Sequence, residues 1–106
     1  MQNTKVLLGQ RIRELRKGKN LSQDQLSEKI GIDPKHLSRI ELGKSFPYME
    51  TLEAIAAALD VEIKDLFEFF HLSKEAVTIE NINEILKGAS EEKLRQVYKF
   101  IRYVCN

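Results

Sequence analysis

The sequence predicts an all-α protein, and three observations support this fold class. Apolar residues recur at the period of an amphipathic helix along most of the chain. Glycines, prolines and helix-capping residues divide it into short segments, and no segment shows a convincing strand pattern. A length of 106 residues, with 42% apolar and 31% charged residues, is typical of about one globular domain.

The composition excludes several other classes. The longest apolar run, residues 54–59, is far shorter than the roughly 20 residues that span a bilayer. The N-terminus has no apolar core of a signal peptide. The single cysteine, Cys105, cannot form an internal disulfide and favours a reducing compartment. We therefore expect a cytoplasmic protein with no membrane association.

The net charge of +1 conceals an uneven distribution. Residues 1–44 hold ten Lys or Arg and five acids, a net charge of +5, whereas residues 45–106 hold seven and eleven, a net charge of −4. A polyanion would therefore interact with the first half of the chain. Such a split also arises by chance in small proteins, so charge alone does not identify the partner.

The first two helices have clear boundaries. Residues 6–18 carry one apolar stripe, and Gly18 can end that helix. Ser22 then offers an N-cap hydroxyl, and Gln25 lies three residues later, as a capping box requires. Gly31 falls where a left-handed residue would end the second helix.

The third and fourth helices follow the same rules. Asp33 is an N-cap residue, Pro34 stands at the first helical position, and the helix ends near Gly43. Pro47 breaks the chain again. Residues 49–59 then form a strongly helical segment with one apolar face.

The remaining segments are shorter or less regular. Residues 62–70 predict a fifth helix that buries Phe67 among its apolar residues, and residues 73–78 are compatible with a loop or a turn of helix. Helical spacing returns in residues 79–87. Ser90 caps a last helix, whose first turn is acidic.

The second and third helices have the features of a helix-turn-helix. Two short helices meet at Gly31, and Ser27 is small enough for a close crossing. Four apolar residues fill the angle between them: Leu26, Ile30, Leu37 and Ile40. An ordinary helical hairpin is the alternative, but it would rarely satisfy all six positions.

The chain resembles the Cro/phage-repressor type of helix-turn-helix DNA-binding domain, also called the xenobiotic-response-element family, from about Leu8 to Phe67. The matching segments are LGQRIRELR at 8–16, LSQDQLS at 21–27, GID at 31–33, LSRIELGK at 37–44, Pro47, TL at 51–52 and ALDV at 58–61. The resemblance implies a five-helix DNA-binding domain, assigned to residues 1–70, with a helical extension at residues 71–106. Tyr48 and Glu62 depart from the Ser or Thr caps that the family often carries, which weakens two N-caps.

The resemblance also implies roles for individual residues. Lys35, His36 and Arg39 match the positions that read bases, and donors on Lys and Arg suit the acceptors of guanine. Gln23, Lys44 and Ser45 match phosphate contacts. Ser22 and Ser38 are also expected to contact phosphate, and helix packing is the alternative for Ser38. Gln23 also braces the third helix in the family. Arg16 and Glu41 match a structural ion pair between the first and third helices. Solvated charge is the alternative for Lys35 and His36, and phosphate contact is the alternative for Arg39.

Residues 71–106 lie outside the resemblance and are too few for a separate ligand-binding domain. Their apolar residues either pack on the five-helix core or form a homodimer interface, and we expect the interface to include these: Ile82, Ile85, Leu94, Val97, Tyr98 and Ile101. His71 is expected to be a linker residue rather than a metal ligand, because no second ligand lies at a suitable spacing. Cys105 is expected to be an incidental thiol.

These observations predict a sequence-specific regulator that binds double-stranded DNA. It is expected to be a repressor that binds a palindromic operator as a dimer through the helix at about 33–42. The alternative is a protein-interaction or antitoxin-type module on the same fold, which contacts a protein through the acidic C-terminal segment. No enzymatic activity, metal or cofactor is expected, because the sequence offers no catalytic or ligand constellation.

Overall fold

The computed structural model describes residues 3–73 and 77–105. The chain divides into two compact units, Met1–Lys74 and Glu75–Asn106. The first unit contains α1 (Thr4–Gly18), α2 (Gln23–Ile30), α3 (Pro34–Glu41), α4 (Met49–Ala58), α5 (Ile63–Leu66) and a 3₁₀ turn (Phe70–Leu72). The second unit contains α6 (Ile79–Leu86) and α7 (Glu91–Cys105). No strand occurs in the described residues, and the all-α prediction is confirmed.

Local capping chemistry sets the bounds of α2. The Ser22 hydroxyl accepts from the backbone N–H of Gln25 at 3.0 Å, and the Gln25 side chain accepts from the backbone N–H of Ser22 at 2.8 Å. This is the capping box that the sequence predicts. At the other end, Gly31 has a φ of 75°, a left-handed conformation that favours glycine.

The start of α3 is also set locally. Asp33 accepts from the backbone N–H of Lys35 at 2.8 Å, and Pro34 occupies the first turn, where no backbone donor is needed. By contrast, Tyr48 makes no side-chain cap for α4, as its departure from the family pattern predicts. At the start of α5, the Asp65 carboxylate accepts from the backbone N–H of Glu62 at 2.8 Å and so replaces part of the missing cap.

The core of the first unit draws side chains from all five of its helices. Its buried members are Leu8, Ile12, Leu26, Leu37, Ile40, Leu52, Ile55, Ala56, Leu59 and Leu66. Burying one such large aliphatic side chain contributes about 1.5–3 kcal/mol. This shared core therefore holds α2 and α3 at one relative position.

Helices α1 and α3 approach closely at Gly9. A Cβ atom on Gly9 would lie 2.3 Å from the Ile40 carbonyl oxygen and 2.7 Å from that of Glu41. Any side chain at this position would force the two backbones apart. The α1–α3 contact thus requires a glycine inside a helix, where glycine is otherwise unfavourable by roughly 0.5–1 kcal/mol.

The prediction of a fifth helix over residues 62–70 is wrong about the length of the helix and about the burial of Phe67. Helix α5 ends at Leu66, and Phe67 is 39% exposed. The backbone of Phe67 leaves the helical conformation, with φ and ψ of −99° and 4°, so the helical period no longer places it inward. Phe69 packs against the core instead.

The sequence predicts that His71 is a linker residue, but it lies in the 3₁₀ turn of the first unit. Its ring Nε2 lies 2.9 Å from Glu14 Oε1, so the 3₁₀ turn is joined to α1. No local sequence pattern indicates this pair, because the two residues are 57 positions apart. Of the segment at residues 73–78, residues 74–76 lie outside the described residues.

The second unit consists of two amphipathic helices. Thr78 caps α6 by accepting from the backbone N–H of Asn81 at 3.1 Å, and Ser90 accepts from the backbone N–H of Lys93 at 3.2 Å at the start of α7. Neither α6 nor α7 has a buried residue. Within the described part of the chain, no helix is long and apolar enough to cross a membrane.

Candidate nucleic-acid interface

Helices α2 and α3 form a rigid pair with a buried inner side. Leu26 and Leu37 have no exposed surface, and Ser27 is 1% exposed. The Ser27 hydroxyl donates to the carbonyl of Gln23 at 2.7 Å, so the polar side chain at the crossing is satisfied within its own helix. The pair therefore has the packing that a helix-turn-helix requires.

The opposite side of α3 presents polar side chains to solvent. Lys35, His36 and Arg39 are all exposed. Their side chains make no hydrogen bond or ion pair within residues 3–73 and 77–105. Two cations and an imidazole thus project from the first two turns of α3, and no internal hydrogen bond or ion pair of these side chains has to break before they contact a ligand.

The predicted phosphate contacts lie at two places around α3. Ser22 and Gln23 stand at the start of α2, whereas Lys44 and Ser45 follow α3. The backbone N–H groups of Lys44 and Ser45 donate to the Arg39 carbonyl at 2.9 and 3.3 Å, which folds this loop back against the helix. Lys44 is exposed and Ser45 is half-buried, as is Ser38 on α3 itself.

A buried ion pair ties α1 to α3. Arg16 Nε lies 2.7 Å from Glu41 Oε2, and Arg16 Nη2 lies 3.0 Å from Glu41 Oε1. The two residues are only 7% and 5% exposed. Arg16 also donates from Nη1 to the Leu21 carbonyl at 2.7 Å. The bidentate geometry fixes the C-terminal end of α3 relative to α1 and to the loop before α2.

Gln23 joins the same network from α2. Its Nε2 donates to Glu41 Oε1 at 3.0 Å. The side chain that the resemblance assigns to phosphate contact therefore braces α3 in the free protein. The charge of Glu41 is balanced by Arg16 and adds little to the field around α3. In the described residues, no buried side-chain nitrogen or oxygen lacks a hydrogen-bond partner.

A second polar cluster joins α1 to the segments after α4. Arg11 Nε donates to the Asp65 carbonyl at 2.9 Å, and Arg11 Nη1 lies 2.5 Å from Glu14 Oε1. Burial raises the pKa of Glu14, but the hydrogen bonds and charges of Arg11 and His71 outweigh it, so its pKa lies below 4.5. Sequence reasoning missed Arg11, because a residue on the polar side of α1 gives no sign that it meets a distant backbone carbonyl.

Gly9 is the other structural residue that sequence reasoning did not single out. The only signal was an isolated glycine within an apolar helical stripe, which often marks a close approach of two backbones. No group of three or more His, Cys, Asp or Glu that suits a metal ion was found in the described residues.

The fold and the exposed side of α3 define a helix-turn-helix domain of the repressor type. The family model described as a helix-turn-helix domain matches residues 9–68, more than half of the chain. The chain therefore belongs to this family, and the resemblance to the Cro/phage-repressor type is confirmed.

Individual proteins are similar to this chain over different lengths. The HTH-type transcriptional activator BcrR of Enterococcus faecalis is 29% identical over 92 residues, which are 87% of this chain. The immunity repressor protein of Bacillus phage phi105 is 40% identical over 58 residues, or 55% of this chain. The chain spans 40% of the length of each of these two relatives.

Solved structures include a match over almost the whole length of this chain. The chain in the SinR protein/SinI protein complex has a TM-score of 0.58 and 30% sequence identity. The match covers 91% of this chain and 95% of that chain.

Proposed function

We propose that this protein is a sequence-specific transcriptional regulator that binds double-stranded DNA through α3. The observation that carries the proposal is the row of exposed, unpaired side chains at Lys35, His36 and Arg39 on a helix whose other side is buried. A helix of this kind fits the major groove, and its cations can donate to the O6 and N7 acceptors of guanine.

The phosphate contacts complete the proposed interface. Lys44 and Ser45 flank the C-terminal end of α3, and Ser22 and Gln23 lie at the N-terminus of α2, where backbone N–H groups and the helix dipole favour an anion. Ser38 adds a short hydroxyl on α3. These contacts supply affinity that is largely independent of sequence and falls steeply with salt, whereas Arg39 supplies base preference.

Binding as a homodimer to a palindromic operator is part of the proposal. The expected interface residues are exposed in the single chain, with Ile85 at 74%, Tyr98 at 63% and Ile82 at 45%. Leu94 and Ile101 are exposed at 41% and 42%, and Val97 is half-buried. We propose that such a dimer acts in the cytoplasm as a repressor that occupies its operator and blocks polymerase. The name of the phage immunity repressor agrees with repression, whereas that of BcrR describes an activator.

The test is selection of bound duplexes from a random pool, followed by binding measurements with Arg39→Ala. We expect an enriched palindrome, and a loss of about 1–3 kcal/mol that is accompanied by relaxed preference at one base pair. Lys64→Ala is the matched control, because Lys64 is an exposed cation on α5, away from α3.

Three results would count against the proposal. An equal loss on all sequences would reject base reading by Arg39. A selected site without two-fold symmetry would reject the palindromic operator. A pool without enrichment, together with co-purification of a protein in stoichiometric amount, would favour the protein-interaction module, which the exposed apolar surface of α6 and α7 also suits.

A further inference from the structure

The turn that ends α3 has the hydrogen bonds of a Schellman motif. The backbone N–H of Gly43 donates to the Ile40 carbonyl at 3.0 Å, and that of Lys44 donates to the Arg39 carbonyl at 2.9 Å. Gly43 has a φ of 76°, a left-handed conformation that favours glycine. In this motif the side chains at the two ends of the longer hydrogen-bonded ring commonly lie close together. The turn therefore brings Lys44, a proposed phosphate contact, beside Arg39, a proposed base reader.

The first turn of α1 packs against the other side of this turn. A Cβ atom on Gly43 would lie 2.7 Å from Val6 Cα and 2.8 Å from Val6 Cγ2. Gly43 is buried, although the neighbouring Lys44 is exposed. The turn is thus held by hydrogen bonds to α3 on one side and by contact with Val6 on the other.

Val6 is separate from the core of the first unit. It is half-buried, but it is not among the described residues that pack against the shared core. Leu8 and Ile12 of the same helix do belong to that core. A smaller side chain at position 6 should therefore loosen the turn after α3 without unfolding the domain.

The turn at Gly31 shows that this packing is not needed to end a helix. Its φ of 75° is nearly that of Gly43, and the backbone N–H groups of Gly31 and Ile32 both donate to the Ser27 carbonyl. Yet no described atom lies within 4 Å of a Cβ added to Gly31. The close approach of Val6 is an additional feature of the turn after α3.

The charges beside the turn give this packing a purpose. The side chains of Arg39 and Lys44 make no hydrogen bond or ion pair within residues 3–73 and 77–105. Two neighbouring cations repel each other until an anion neutralises them. In the free protein, the turn keeps its position through its backbone hydrogen bonds and through the contact with Val6.

We propose that Val6 is a positioning residue for DNA binding. By packing against Gly43 it fixes the turn after α3, and it so holds Lys44 where one chain can contact a base through Arg39 and a phosphate through Lys44. Val6 itself touches no DNA. The inference rests on the proposed function and adds to it a residue of α1, outside the helix-turn-helix.

Binding of the full-length chain to a random-sequence duplex of about 30 base pairs tests the proposal, because phosphate contacts need no particular operator. We expect Lys44→Ala to weaken binding about tenfold and to reduce the salt dependence by about one phosphate per bound chain. Val6→Ala should weaken binding about threefold alone, and should have no further effect in the Lys44→Ala chain. Val6→Ile keeps the branched contact and should bind as the unmodified chain does.

Val61→Ala is the matched control. Val61 is also half-buried, but it follows α4 and packs against the core. Its substitution should leave the affinity and the salt dependence unchanged. If Val6→Ala causes an equal loss with and without Lys44, Val6 does not act through Lys44 and the proposal is wrong. Unchanged binding by Val6→Ala would also overturn it.

Amide hydrogen exchange tests the turn without DNA. Val6→Ala should speed exchange at Lys44 and Ser45, whose N–H groups are bound to the Arg39 carbonyl. Exchange at Gly31 should stay slow, which also reports that the domain is folded. Unchanged exchange at Lys44 would reject the role of Val6. An unmodified chain that binds no duplex rejects the proposed function itself, whereas binding with additive losses rejects only the role of Val6.

Discussion

The carboxylate of Glu41 serves three helices at once. It is a residue of α3, it accepts two hydrogen bonds from Arg16 of α1, and it accepts a third from Gln23 of α2. A buried charge of this kind costs desolvation, which is offset only while all its partners are present. Single residues such as Glu41 therefore decide whether the exposed side of α3 keeps a defined position.

Removing the carboxylate should be strongly destabilising. We expect Glu41→Ala to lower the free energy of unfolding by about 3–5 kcal/mol, because it leaves the Arg16 guanidinium buried without a counter-charge. Urea unfolding measures the change. The double variant Arg16→Met/Glu41→Leu should lose much less than the sum of the single variants. A loss below about 1 kcal/mol for Glu41→Ala would show that the pair is not buried as described.

Position 9 requires glycine, because the backbone of α3 leaves no room for a side chain there. We expect Gly9→Ala to destabilise the fold by about 1–3 kcal/mol, because the added Cβ would overlap the backbone of α3. Gly18→Ala is the matched control on the same helix, since nothing lies within 4 Å of its added Cβ. Thermal unfolding of the two variants gives the comparison. Equal stability of both would contradict the close α1–α3 approach.

At the scale of elements, polar side chains join segments that are distant in sequence. Arg11 links α1 to the carbonyl of Asp65, and Glu14 links it to His71 in the 3₁₀ turn. These contacts surround the end of α5, where the chain leaves the core. They give the short segment after Leu66 a defined position that its own helical propensity does not supply.

The lowered pKa of Glu14, which burial opposes and to which Arg11 and then His71 contribute, makes stability depend on pH. The pKa of Glu14 is lowered, so its carboxylate stabilises the fold fully above about 4.5 and loses that contribution as the pH falls through the lowered value. We expect His71→Ala to raise the pKa of Glu14 toward 4.5, as measured by a nuclear magnetic resonance titration of its carboxyl carbon. His36→Ala, which removes an exposed histidine on α3, should leave that titration unchanged. An unchanged pKa in His71→Ala would reject the contact.

At the scale of the whole molecule, the two units differ in how they bury apolar surface. The first unit has a core shared by five helices, whereas α6 and α7 have no buried residue. The charge is divided in nearly the same way as the buried surface. Residues 1–44, with a net charge of +5, contain α2, α3 and Lys44, whereas residues 45–106, with a net charge of −4, contain the second unit. This division agrees with one unit that meets DNA and another that meets protein.

The two units should separate in a truncation experiment. We expect a chain truncated after residue 74 to keep its helical fold, because its core is complete, and to be monomeric in light scattering at concentrations where the full chain is a dimer. Its affinity for a palindromic site should fall, since the two half-sites are no longer bound by one particle. A fragment as dimeric as the full chain would show that residues 75–106 do not form the interface.

Particular residues show how far local sequence signals reach. The structure has the capping box predicted from Ser22 and Gln25, the left-handed turn predicted from Gly31, and the N-cap predicted from Asp33 and Pro34. All three features depend only on residues within a few positions of one another. The prediction that Phe67 is buried was wrong, because it extended the helical period past Leu66, where α5 ends. The roles of Lys35, His36 and Arg39 remain predictions, although the structure shows that their side chains are exposed.

The sequence by itself determined the helical class, the position of the helix-turn-helix and most of the helix boundaries, because capping, glycine conformation and apolar period are local properties. Only the tertiary structure decided that Gly9 lies against the backbone of α3, that Gln23 is bound to Glu41 and that His71 pairs with Glu14. These contacts join residues that are far apart in the chain. Their partners are set by how the helices pack around one core, which no local pattern specifies.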